Sequence, residues 1–162
     1  TADGLTSAFT SHISEGIKAT LSGVDLASVA KKIASTAAIL RGVSLRQLLE
    51  AWKVALVLSC ECPVKDRVDC LTALFACALM CRLEPDKFSK LCDLCTSNPQ
   101  TSMHDAMRDP AGGRINEIHD YFENLLQAPG PGRNTNPFWR TAAFLVERWR
   151  TDDSNNASQG TT

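Results

Sequence analysis

The sequence LRQLLEAWKVALVLSCECPVKDRVDCLTALFACALMCRL, residues 45–83, decides the fold. Its first part repeats an apolar residue every three or four positions, the period of a helix with one apolar face. These apolar residues are Leu45, Leu49, Trp52 and Leu56. Ser44 and Gln47 have the spacing of a capping box, so we predict a helix over residues 45–59. The opposite, polar face of this helix holds Arg46, Glu50 and Lys53.

The second part of the stretch is more apolar. Cys62-Pro63 breaks the first helix, and a polar turn precedes CLTALFACALMC, residues 70–81, which contains no charge. We predict a second helix over residues 64–82, and therefore an amphipathic–turn–apolar hairpin over residues 44–82. A spanning helix needs about 20 apolar residues, and periodicity does not separate a buried core hairpin from a membrane hairpin.

The rest of the chain also has helical periodicity, so we predict an all-α protein of six to eight short helices. The stripe Leu5, Phe9, Ile13, Ile17 and Leu21 predicts a single first helix. We expect a helical domain over residues 1–127 and a Pro/Gly linker over residues 128–137. A C-terminal amphipathic helix over residues 138–150 and a disordered polar tail over residues 151–162 complete the prediction.

Composition bounds the function. The 162 residues are 44% hydrophobic and 22% charged, which is typical of about one folded domain. The formal net charge of −1 gives no basic field, so we expect no nucleic-acid partner. No signal peptide is visible at the N-terminus. The familiar catalytic and phosphate-binding motifs are missing, so we predict no enzyme, no catalytic residue and no cofactor.

The seven cysteines all fall between Cys60 and Cys95, and an odd number in one block is a poor disulfide framework. We therefore expect free thiols in a reducing compartment. We interpret most of these cysteines as small apolar residues of a core. Two alternatives stay open, redox chemistry and a tetrahedral zinc held by Cys60, Cys62, Cys92 and Cys95.

The C-terminal helix has the sequence PFWRTAAFLVERWR, residues 137–150. Tryptophan and arginine are enriched at the energetic centres of protein interfaces. The candidate interface residues are Phe138, Trp139, Leu145 and Trp149. The alternative is that this helix packs on the protein's own core.

The hairpin resembles the viroporin family of picornaviruses, the non-structural 2B proteins. The resemblance rests on residues 45–93 and on LTSAFTSHISEGI, residues 5–17, and covers residues 5–95. It implies a polyprotein product at endoplasmic reticulum and Golgi membranes of the host cytoplasm. Such a protein would self-associate, act as an ion channel or permeabilise host membranes, and work with other viral replication proteins.

The resemblance also implies roles for individual residues. Arg46 and Lys53 would face lipid headgroups or a pore, and Lys65, Asp66 and Arg67 would form the turn. The full set of expected membrane contacts is Arg46, Leu49, Trp52, Lys53, Leu56, Leu71, Leu74, Phe75 and Leu79. Glu50 interrupts the cationic face, and residues 96–162 have no counterpart in the family's pattern.

Two other functions remain open at this point. One is a soluble helical assembly or adaptor module, such as a viral coat or nucleoprotein-like protein without catalytic activity. The other is a zinc-stabilised domain.

Overall fold

The computed structural model describes residues 1–98, 103–107, 113–126 and 137–160. Over these residues the chain forms nine α-helices and no strand, which confirms the all-α fold. The helices are α1 (Ala2–Ser11), α2 (Glu15–Thr20), α3 (Leu26–Ala37), α4 (Leu45–Ser59), α5 (Arg67–Leu83), α6 (Pro85–Ser97), α7 (Met103–Met107), α8 (Arg114–Glu123) and α9 (Pro137–Gly160). A 3-10 turn, Val64–Asp66, precedes α5. The expected number of six to eight helices is too low.

Two helices start where the sequence predicted. The Ser44 hydroxyl accepts from the Gln47 N–H at 3.1 Å, and the Ser44 N–H donates to the Gln47 side-chain oxygen at 2.9 Å. This capping box starts α4. Pro85 is the first residue of α6, where its missing N–H leaves no helical hydrogen bond unmade.

The apolar stripe that predicted one N-terminal helix is divided between α1 and α2. The His12 N–H closes α1 by donating to the carbonyls of Phe9 and Thr10. The Ser14 hydroxyl then starts α2 by accepting from the Ile17 N–H at 3.2 Å. A serine side chain competes well for free backbone N–H groups at a helix start, so the chain turns here although the apolar spacing continues.

Helix α5 lies at the centre of the core. Residues 70–81 are all buried. The helix packs against α3, α4, α6, α8 and α9. A helix that is apolar on all sides must be covered on all sides, and here other helices of the same chain supply the cover.

Aromatic rings connect the N-terminal and C-terminal parts of this core. Phe9 stacks on Trp52 with ring centroids 4.7 Å apart, and Phe75 lies 5.7 Å from Phe9. Phe122 of α8 continues the series, 5.4 Å from Phe75. The hairpin of α4 and α5 is therefore held between α1 and α8.

Helix α9 belongs to the same core. Trp139 is fully buried, and Ala142, Ala143 and Val146 are buried against the rest of the protein. The expected linker lies outside the described residues except for Pro137, the first residue of α9. The prediction of a disordered tail is wrong over residues 151–160, where α9 continues. Extending an existing helix requires no new nucleation, so weakly helix-forming residues can follow it.

Candidate functional site

The fold covers most of the residues that were expected to contact a membrane. Six of the nine are buried in the protein core: Trp52, Leu56, Leu71, Leu74, Phe75 and Leu79. Leu49 packs partly buried against the core, and Arg46 and Lys53 are exposed. Protein side chains, rather than lipid, therefore surround the apolar residues of α5 in this structure. Among the described residues, no helix combines the length and apolar character that crossing a membrane requires.

The four expected interface residues of α9 also separate. Trp139 is fully buried, and its indole N–H donates to the Glu123 carboxylate. Phe138 and Leu145 pack partly buried against the core. Trp149 is the exposed residue of the four, with 37% of its surface accessible. The alternative of a helix packed on its own core therefore holds for three of the four positions.

The cysteines do not gather into a metal centre in the part of the chain that the structure describes. All seven thiols are free, and the four candidate zinc ligands of the alternative reading, Cys60, Cys62, Cys92 and Cys95, are not brought together. Cys62 and Cys70 hydrogen-bond to each other, which lowers the pKa of Cys62 and raises that of Cys70. Cys92 instead lies near Cys77 in the core. Within residues 1–98, 103–107, 113–126 and 137–160, no group of three or more His, Cys, Asp or Glu residues could hold a metal ion.

A groove of about 640 Å³ lies where α4, α5 and α9 meet the start of α6. Its floor is apolar and is formed by Ala51, Val54, Ala78 and Val146. The remaining lining residues are Gln47, Glu50, Lys53, Cys81, Arg82, Pro85, Trp149 and Arg150. The groove therefore combines an apolar floor with an exposed tryptophan and charged groups.

Two arginines hold the one carboxylate that lines the groove. The Glu50 carboxylate accepts from the Arg46 Nε at 3.2 Å and forms an ion pair with Arg82 of α5. The Glu50 side chain is only 29% accessible. This ion pair joins α4 to α5 at the groove and leaves the local charge positive.

A second ion pair fixes the opposite wall. Arg150 donates to both oxygens of Glu147, at 2.6 and 3.1 Å, which raises the pKa of Arg150. The Ser89 hydroxyl of α6 donates to the same carboxylate at 3.3 Å. Cys81 also lines the groove, and burial raises the pKa of its thiol to about 11. The bidentate geometry orients Arg150, and the hydrogen bonds from Ser89 to Glu147 and from Arg150 to Ser89 tether α9 to α6.

The sequence indicated part of this groove. Glu50 and Lys53 were assigned to the polar face of the first hairpin helix, and Trp149 to an interface. Arg82 was not assigned to any site, and Arg150 was not assigned to one with Glu50 and Lys53, because they lie about 30 and 100 positions further along the chain than Glu50. Only the packing of α9 beside the hairpin brings them together.

Comparisons with protein-family models, curated proteins and solved structures find no match to this chain. The function is therefore argued from the groove itself.

Proposed function

We propose that this protein is a non-enzymatic protein-interaction module whose groove receives a segment of a partner protein. The observation that carries the proposal is the exposed Trp149 beside an apolar floor, at the meeting point of three helices. An exposed tryptophan next to charged and apolar groups is the composition typical of interface hot spots. A helical or extended segment laid into such a groove is a common mode of peptide recognition.

The form of the groove favours a protein segment over a small molecule. Small-molecule sites bury most of their ligand's surface. Here Lys53 and Arg82 are exposed at the rim, and Trp149 is accessible. A ligand in this groove would keep one side in solvent, as a segment of a larger protein does.

The proposal is tested by selecting peptides from a library of unbiased composition with the full chain as bait. Peptides enriched on the wild type are measured again with Trp149→Ala. The exposed Phe144 lies on the same helix but does not line the groove, so Phe144→Ala is the matched control. We expect Trp149→Ala to lower the affinity about tenfold or more, since hot-spot truncations exceed about 2 kcal/mol, and Phe144→Ala to change it less than about twofold.

Failure to enrich any peptide, or equal binding by the wild type and Trp149→Ala, would contradict the proposed function. If NMR chemical shifts change on peptide binding at residues outside α4, α5 and α9 instead of at the groove, that result would contradict the proposed function as well. Circular dichroism of both variants establishes that each remains folded.

Membrane permeabilisation remains a prediction of its own. Because Leu74 and Phe75 are fully buried, it requires the hairpin to leave the core before lipid can replace its protein neighbours. Flotation of the full chain with vesicles, followed by a high-salt wash, tests it. Salt-resistant association with vesicle leakage would support that function, whereas absence of both would contradict it.

A further inference from the structure

The groove carries more positive than negative charge. Its lining includes the cations Lys53, Arg82 and Arg150 and one carboxylate, that of Glu50. The neighbouring ion-pair partners, Arg46 and Glu147, add one charge of each sign. The local excess is therefore two positive charges, in a chain whose formal net charge is −1. The groove can therefore attract an anionic partner through its local charge, although the protein as a whole carries no positive net charge.

The three cations differ in their existing partners. Arg82 pairs with Glu50, and Arg150 pairs with Glu147. Lys53 forms no ion pair with any carboxylate in the part of the chain that the structure describes, and its side chain is exposed. An incoming carboxylate can therefore bind Lys53 without breaking an ion pair or displacing a buried group.

Apolar and cationic groups line the same groove. Lys53 and Arg82 lie on α4 and α5, Trp149 lies on α9, and Ala51 and Val54 form part of the floor. A ligand that satisfies all of them needs both carboxylates and an apolar side chain. One face of an amphipathic helix presents such groups at spacings of three and four residues.

We propose that the partner segment is acidic and amphipathic, with carboxylates that pair with Lys53 and Arg82 and an apolar side chain that packs on Trp149. This inference rests on the proposed function, because it names the chemistry of the segment that the groove receives. It also predicts a salt-dependent affinity, since ions screen exposed charge pairs.

The test uses the full chain and the same unbiased peptide library. We expect the enriched peptides to be acidic and to contain apolar residues. Lys53→Glu should weaken their binding about fivefold or more, because it replaces attraction by repulsion. The matched control is Lys31→Glu, which makes the same charge change at an exposed position of α3 outside the groove, and it should leave the affinity within about twofold. Raising NaCl from about 0.05 to about 0.5 M should weaken binding to the wild type.

The outcomes separate this inference from the proposed function. Enrichment of neutral or basic peptides whose binding depends on Trp149 would contradict the acidic character of the partner segment. It would not contradict the proposed interaction module. Equal effects of Lys53→Glu and Lys31→Glu would contradict the acidic character in the same way. Peptide binding that never depends on Trp149 would overturn both proposals.

Two further measurements identify other occupants. Tripolyphosphate, used alone as a probe, should bind more weakly than the acidic peptides. Tighter, Lys53-dependent binding of tripolyphosphate would assign the groove to a small anion and overturn the inference. Sedimentation of the wild type should show no self-association through the groove. Self-association of the wild type that Trp149→Ala abolishes would instead assign the groove to a second copy of this chain.

Discussion

The indole N–H of Trp52 donates to the backbone carbonyl of Phe9 at 2.8 Å, and their rings stack with centroids 4.7 Å apart. The two residues lie 43 positions apart. The contact joins α1 to α4 and gives the buried indole nitrogen its hydrogen-bond partner. This tryptophan, which the family resemblance placed in contact with a membrane, is thus fully enclosed by protein.

Trp52→Ala should destabilise the protein much more than Trp149→Ala. Replacing the fully buried Trp52 removes its packing and its hydrogen bond, and we expect a loss of about 3–5 kcal/mol in the free energy of unfolding. Trp149 is 37% accessible, so its replacement should change that free energy by about 1 kcal/mol or less. Urea unfolding measures both. Equal losses would contradict the assignment of Trp52 to the core and Trp149 to the surface.

One thiol should react quickly in the native protein. Cys60 is half-buried, whereas the other six cysteines are buried. We therefore expect one fast-reacting thiol with a disulfide reagent at pH 8, all seven in denaturant, and no fast phase in Cys60→Ser. Reactive cysteines must be accessible as well as deprotonated. A fast phase that persists in Cys60→Ser would show that the core opens more readily than the packing indicates.

Stability should fall at alkaline pH through buried thiols. Burial raises the pKa of Cys81 from 9.0 to about 11. Above pH 9 the unfolded chain releases this proton more readily than the folded chain, so rising pH favours unfolding until the folded thiol also ionises. The loss is about 1.4 kcal/mol per pH unit for one such group.

Cys81→Ala isolates this contribution. The stability difference between the wild type and the variant should narrow by about 2 kcal/mol between pH 8 and pH 11, because alanine does not titrate. Urea unfolding at several pH values gives the comparison. A difference that does not change with pH would refute the contribution of this thiol.

Two glycines should respond to alanine in opposite directions. Gly42 has φ +72°, a conformation that side chains rarely adopt, and Gly16 lies within α2 with no close contact at its Cβ position. Gly42→Ala should destabilise by about 1 kcal/mol, and Gly16→Ala should stabilise by about 0.5–1 kcal/mol. Thermal unfolding compares them. The same sign at both positions would contradict these backbone conformations.

Capping and periodicity predicted the helices of the hairpin, but they predicted the site only in part. The Ser44–Gln47 capping box and the start of α6 at Pro85 follow from neighbouring residues, and both are found. The charged lining of the groove, with Arg82 and Arg150 on opposite walls, depends on which helices pack together. Because side chains far apart in sequence form it, no local spacing indicated it.

The sequence by itself determined that the chain is helical and that residues 70–81 must be shielded from water, since periodicity and hydrophobicity are local properties. It did not determine what provides the shield. Only the tertiary structure decided that α3, α4, α6, α8 and α9 surround α5. The same packing joined Lys53 of α4 to Trp149 of α9 along one groove. The physical reason is that an apolar helix gains from leaving water in lipid or in protein alike, so its surroundings depend on long-range packing that its own residues do not specify.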